Sequence, residues 1–193
     1  GISVANAGDV NGDGYIDIIV GASHSAAGGT SYRGRAYIYF GGAIMDNTAD
    51  VILSGTGDFD FLGNSVASAG DANGDGYADV IVGAYQNAAA GINAGSAYIY
   101  FGGSSMNNVA DVVMTGAVAY DLFGVSVADA GDVNGDGYND VIVGAHGNDA
   151  GGDAAGRGYL YLSSSPPIVP RLASLNDVPN DQGGRMTLRW NRS

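Results

Sequence analysis

The chain contains no cysteine, no glutamate and no lysine, and its 193 residues include four prolines and one tryptophan. Without thiols there is neither a disulfide framework nor a thiolate metal site, and the redox compartment stays open on that score. No apolar run is long enough to span a bilayer as a helix, which argues against membrane insertion. Basic residues are scarce too: seven arginines face twenty aspartates, a formal net charge of −13. Nucleic acid is a poor partner for such a chain, because holding phosphates takes a basic surface. What is abundant is small and apolar. Hydrophobic residues make up 46 % of the chain, enough for a packed core rather than a disordered polymer, and 34 residues are glycine.

The acid is concentrated in loops. In Asp9-Val10-Asn11-Gly12-Asp13-Gly14-Tyr15-Ile16-Asp17, oxygen-bearing side chains recur at every second residue and an apolar run follows. Ca²⁺ takes six to eight hard oxygen ligands, which a short loop supplies by alternating carboxylates and amides around a sharp turn. Gly14, sixth in the loop, lacks a Cβ and adopts left-handed backbone readily. Asp9, Asn11 and Asp13 can then converge, Asp17 closes the cage, and Tyr15 offers its main-chain carbonyl. The spacing returns in Asp71, Asn73, Asp75, Tyr77 and Asp79, and again in Asp132, Asn134, Asp136, Tyr138 and Asp140. One Asp-Asn-Gly cluster is also what a solvated turn looks like. Three copies in register favour metal.

The sequence therefore predicts up to three Ca²⁺, one per loop, which would move the formal charge from −13 to −7. Position twelve, where an EF-hand carries a bidentate Glu, holds Val20, Val82 and Val143. Loops with three carboxylates and no such Glu belong with the weak sites of extracellular modules, in the ~10⁻⁴ to 10⁻³ M class. The protein is thus placed outside the cytosol, secreted or at the cell surface.

The loops start at Asp9, Asp71 and Asp132, 62 and 61 residues apart. Internal repeats of this kind decide the fold. One interval reads as four short strands: Ser65 to Ala69, Val80 to Ala84 after the loop, Gly95 to Phe101, and Asp111 to Met114. Their β-branched and alternating character, Gly-rich turns and lack of helical periodicity describe one blade of a β-propeller.

Leu122-Phe123-Gly124-Val125-Ser126-Val127-Ala128, running into the loop and then Val141-Ile142-Val143-Gly144-Ala145, resembles the FG-GAP repeat of integrin alpha subunits and many bacterial surface proteins. The middle copy carries Phe61-Leu62-Gly63 in place of a strict Phe-Gly pair. The resemblance covers about residues 1–162. It implies an all-β propeller, commonly seven-bladed, with calcium between each blade's first and second strands. Three four-stranded blades are expected at about 1–54, 55–115 and 116–162. Gly1 aligns with Gly63 and Gly124, so the chain is expected to begin inside a motif, with upstream blades of the same chain as partners. The third blade is expected to lack its fourth strand, because Ser163-Ser164-Ser165-Pro166-Pro167 cannot continue a ladder. A clasp strand from the missing N-terminus would fill that place. Residues 163–175 read as a Pro/Ser-rich linker. Residues 176–193, with a turn at Asp181-Gln182-Gly183-Gly184 and a strand Met186-Thr187-Leu188-Arg189-Trp190, resemble the truncated start of a fibronectin type III-like sandwich.

Catalytic candidates are sparse. His24 and His146 sit one position apart in the repeat, and Ser23 and Ser25 beside His24 make no recognisable triad. Arg35 and Arg157 align before the third strands, where pairing with surface Asp is the plain expectation. The pairs Tyr98 with Tyr100 and Tyr159 with Tyr161 put their rings on one strand face, as core packing requires. Tyr32 and Tyr85 hint at a sugar-stacking surface. Two functions follow: an extracellular, calcium-stabilised module recognising a protein or glycan, without catalysis, or a propeller domain of a secreted hydrolase or polysaccharide lyase. The absence of any carboxylate pair, Cys or His cluster beyond the loops favours the first.

Overall fold

The computed structural model describes residues 1–26, 31–152 and 155–164 in full, and the backbone of 171–177 and 186–188. Three antiparallel meanders follow one another along the chain. The first is β1 (Ser3–Gly8), β2 (Asp17–Ala22), β3 (Arg35–Tyr39) and β4 (Val51–Ser54). The second is β5 (Ser65–Gly70), β6 (Asp79–Ala84), β7 (Ser96–Tyr100) and β8 (Val112–Thr115). The third is β9 (Phe123–Gly131), β10 (Asp140–Ala145) and β11 (Arg157–Leu162), continued by β12 (Arg171–Asp177) and β13 (Met186–Leu188). The register repeats from blade to blade: Val20 faces Tyr37, Val82 faces Tyr98 and Val143 faces Tyr159.

One expectation is corrected here. The third blade does have a fourth strand in this chain: β12 pairs with β11 from Tyr159↔Ser174 to Leu162↔Arg171. Strand β12 begins at Arg171, the residue after Pro170 in sequence, where every residue can again offer a backbone N–H. Strand β12 spans residues 171–177, and β13 pairs with it from Leu175↔Leu188 to Asp177↔Met186. The turn at 181–184 and Trp190 lie outside the described residues, as do the three linker prolines.

The core sits at the seams between blades. One cluster joins Ile38 and Leu53 of the first blade to Leu62, Val66, Val80, Val82 and Tyr100 of the second. The other joins Ile99 and Met114 to Phe123, Val127, Val141, Val143 and Tyr159. Because the middle blade is covered on both faces, β6 is buried at all six positions, whereas β2 alternates between buried and accessible. The tyrosine pairs pack as expected: Tyr100 and Tyr159 are buried, and Tyr159 stacks on Tyr161.

Backbone meets backbone at each seam. The Leu62 N–H donates to the Arg33 carbonyl and the Phe123 N–H to that of Ala94, both at 3.0 Å, and Val66 and Val127 N–H groups donate to Ser3 and Ser65 Oγ of the preceding blade. A Cβ on Gly83 would collide with the Gly124 carbonyl oxygen, while one on Gly144 would meet only the Ser126 hydroxyl at 2.9 Å. Gly83→Ala should therefore cost about 2–3 kcal/mol by forcing the seam apart, and Gly144→Ala less than about 1 kcal/mol, since a side chain can swing away. Urea denaturation of both variants checks this; equal losses would show that blade contact is not what Gly83 serves.

Candidate metal centre

Each Asp-rich loop connects a blade's first two strands, and the structure builds all three alike. Gly14, Gly76 and Gly137 lie at φ 89°, 91° and 93°, in the left-handed region that a side chain would resist. That turn folds the loop's N–H groups onto its own first aspartate. Asp9 accepts from Gly12, Asp13 and Gly14, and Asp132 accepts from Gly135, Asp136 and Gly137. Asp71 accepts from Asp75 and Gly76. The third residue's amide oxygen, on Asn11, Asn73 and Asn134, accepts from the fifth residue's N–H at 2.8–2.9 Å. The fifth, Asp13, Asp75 and Asp136, accepts from the N–H of Tyr15, Tyr77 and Tyr138. Its other oxygen takes the asparagine NH₂, at 3.1, 2.8 and 3.0 Å.

The ninth residue behaves differently. Asp17, Asp79 and Asp140 are fully buried, and each carboxylate spans two connections. One oxygen accepts from the loop's second residue, Val10, Ala72 or Val133. The other accepts from the residue that follows the third strand: Gly41 at 2.6 Å, Gly102 at 2.9 Å and Ser163 at 2.9 Å. The Asp thus ties the Asp-rich loop to the neighbouring loop at the same end of the blade, a role its spacing did not announce. Burial pushes all three carboxyls up, Asp79 to about 7, against the lowering effect of those N–H donors. The neighbouring Asp13 and Asp9, Asp75, and Asp136 and Asp132 add to the rise. Asp132 is held low by the backbone donors around it.

Among the described residues no three acidic, histidine or cysteine side chains converge as a ready-made cage. The loop oxygens are instead turned onto backbone and amide donors. Their chemistry nevertheless fits a hard divalent cation: every donor is an oxygen. A buried carboxylate such as Asp79, raised by desolvation and by Asp75, is the kind of charge that an adjacent cation stabilises. Asp9, Asn11, Asp13 and Asp17, with the Tyr15 carbonyl, would hold the ion in the first loop, and their counterparts in the other two.

The loops also grip each other, which the sequence did not reveal. The Tyr77 ring lies over Gly12 of the preceding loop and the Tyr138 ring over Gly74, so closely that a Cβ on either glycine would strike it. Ala78 donates its N–H to the Asp9 carbonyl, and Asn139 to that of Asp71. A tyrosine and a glycine three positions earlier in its loop gave the only trace of this, since the partners sit one repeat apart.

At the opposite end of the blades, the Ser23 hydroxyl lies 3.1 Å from His24 Nδ1, and the His24 ring packs edge-on against Tyr32 and Phe61. Arg157 reaches over the Tyr159 ring rather than into the loops, and Arg35 keeps a buried Nε without a hydrogen bond. Among the described residues the Arg–Asp ion pair is Arg33 with Asp58, at 2.8 Å. Neither arginine singled out from the repeat forms it.

The FG-GAP repeat family matches this chain three times, at residues 1–39, 62–100 and 123–161, each match running from the seam through the Asp-rich loop to the third strand. The chain is 33 % identical over 181 residues to integrin alpha-5 of Xenopus laevis, a match spanning 89 % of this chain and 17 % of that protein. It is 35 % identical over 188 residues to human integrin alpha-7, covering 95 % of this chain and 15 % of that protein. With integrin alpha-PS5 of Drosophila melanogaster it shares 30 % identity over 163 residues, 83 % of this chain and 15 % of that one. The chain therefore spans about a sixth of the length of these relatives. Three seam-packed blades, three matches that coincide with them and integrin alpha relatives along most of the chain lead to one assignment: the protein belongs to the FG-GAP repeat family, as part of a β-propeller.

Proposed function

We propose that the chain is part of an extracellular recognition or adhesion module, in which Ca²⁺ in the three Asp-rich loops is structural and the opposite loops meet a protein or glycan. The observation that carries this reading is the division of labour between the two ends of each blade. The β1–β2 and β3–β4 connections and their counterparts hold the oxygen-rich loops and the buried Asp that ties them together. The β2–β3 loop and the connection into the next blade adjoin at the other end, where the Phe61 N–H donates to the Tyr32 carbonyl. One end is thus free to vary in side chains while the other holds the blades in order. A loop that surrounds its ion with protein oxygens leaves no open position for a substrate, which suits structure better than catalysis. The relatives carry the name of integrin alpha chains, and adhesion is the reading that fits them.

The experiment is cell attachment to a surface coated with the chain. Cells should hold in millimolar Ca²⁺ and release when chelator is added, while the protein liberates no reducing ends from polysaccharides. Release of reducing ends by the purified chain would favour the hydrolase or lyase reading instead.

A further inference from the structure

We propose that the loops at the seam between the first two blades form a binding site for a neutral glycan, on an aromatic platform made by Tyr32, Phe59 and Phe61, with His24 and Tyr85 at its edges. The inference rests on the recognition reading and names the ligand class and the place.

Five rings from three loops meet here. Phe61 is the hub: it stacks on Tyr32 with centroids 5.7 Å apart and 22° between planes, and lies 5.6 Å from Tyr85, 5.4 Å from His24 and 6.5 Å from Phe59. Tyr32 and Phe59 are 46 % and 52 % exposed, so the cluster presents ring surface to solvent rather than closing a core. Large apolar groups gathered at the surface mark interaction sites more often than single exposed side chains do.

The repeat supplies its own control. At the second seam the same backbone positions hold Asn93, Tyr120, Leu122 and His146, and no ring cluster forms there among the described residues. Around Phe59 and Phe61 the scaffold is nonetheless the same, and it differs at Tyr32, whose counterpart Asn93 takes a φ of 53°. Leu122 donates its N–H to the Asn93 carbonyl at 3.1 Å, as Phe61 donates to Tyr32 at 3.1 Å. Phe59 and Phe61 take φ of 64° and 54°, and Tyr120 and Leu122 take 68° and 56°. The fold thus requires the carbonyl of Tyr32 and a left-handed backbone at 59 and 61, and it does not require aromatic rings at 32 and 61. Rings concentrated at one seam, on a backbone already fixed, need a reason outside the fold.

The chemistry of the rim selects the ligand. Arg33 and Asp58, the chain neighbours of Tyr32 and Phe59, form an accessible ion pair, so the platform carries a paired donor and acceptor and no net charge from them. The Arg33 bond holds the Asp58 carboxyl low, so the pair stays ionised. A pyranose offers a C–H face to stack on an exposed ring and hydroxyls that both donate and accept, which matches an aromatic surface beside a planar donor–acceptor pair. The −13 charge of the chain disfavours an anionic sugar.

The test is saturation-transfer NMR and calorimetric titration of the calcium-loaded chain with cellotetraose, laminaritetraose, mannotetraose and the N-acetylglucosamine tetramer. At least one should bind. Tyr32→Asn, which removes the exposed ring and keeps the carbonyl that the Phe61 N–H bonds, should weaken binding at least tenfold with the melting temperature unchanged, and Tyr120→Asn should leave it intact. Failure of all four sugars, or equal loss in both variants, overturns the glycan site. Cell attachment that persists without sugar binding, and is lost in Tyr32→Asn, overturns the glycan site while leaving the recognition reading standing. Loss of attachment altogether removes that reading as well.

Discussion

Removing calcium should lower the melting temperature of this chain by about 10–30 °C. At 10 mM Ca²⁺ and a Kd in the weak extracellular class, each site stabilises the folded state by about 1.4–2.7 kcal/mol, and three sites by about 4–8 kcal/mol. For a chain of this size each kcal/mol moves the midpoint by about 2–4 °C. Calorimetric titration should count three sites, and Asp75→Asn should reduce the count to two. The pH dependence supplies an independent check of sign. Asp79 is raised from 3.8 to about 7 by burial, and Asp17 and Asp140 are raised for the same reason. A raised carboxyl favours the folded state fully below its unfolded value, near 4, and loses that contribution as the pH climbs through about 7. In chelator, stability should therefore fall between pH 5 and pH 8, by up to about 3 kcal/mol from Asp79 alone. In calcium the slope should reverse, because the ion prefers ionised ligands and is released as they protonate. A chelated protein that gains stability over that range, or a titration without heat, would remove calcium from the account of these loops.

The blades themselves were legible because their signals are local. Loop spacing, the apolar strands on either side and the 61- to 62-residue interval all fall within one stretch of chain, and the strands appear where that pattern puts them. What the sequence concealed lies between repeats. Tyr77 over Gly12 joins residues 65 positions apart, and Tyr32, Phe61 and Tyr85 meet from three separate loops. Asp17 was legible as an acid of the loop, yet its bond to the Gly41 N–H depends on where the β3–β4 connection lands. The outer strand of the third blade was missed for a different reason. Prolines announce where a ladder stops and say nothing of where it resumes, and β12 begins just beyond the last of them. Alignment of the repeats with one another holds part of the missing information. A tyrosine at 77 and 138, always paired with a glycine one repeat earlier, is a contact written in register.

Phe123→Ala should destabilise the protein by about 3–5 kcal/mol, lowering the melting midpoint by about 6–20 °C. Phe123 is fully buried in the core shared by the second and third blades, with Tyr159 at 5.3 Å and Tyr161 at 6.1 Å, both edge-on. Truncation would leave a cavity lined by β-strands from both blades, and strands held in two ladders cannot collapse to fill it. The repeat again provides the conservative variant. Leu62 occupies the same place at the first seam: its N–H donates to the Arg33 carbonyl, as that of Phe123 donates to Ala94, and the parallel bridges Gly34↔Leu62 and Gly95↔Phe123 match. Phe123→Leu should therefore cost less than about 1.5 kcal/mol, because the backbone position already accepts a leucine and only the ring contacts with the two tyrosines are lost. The two variants separate packing from position. If both lose the same stability, the aromatic contacts with Tyr159 and Tyr161 set the strength of the seam; if Phe123→Ala is as mild as Phe123→Leu, the blades are held by their glycine and serine backbone contacts and the buried side chain contributes little.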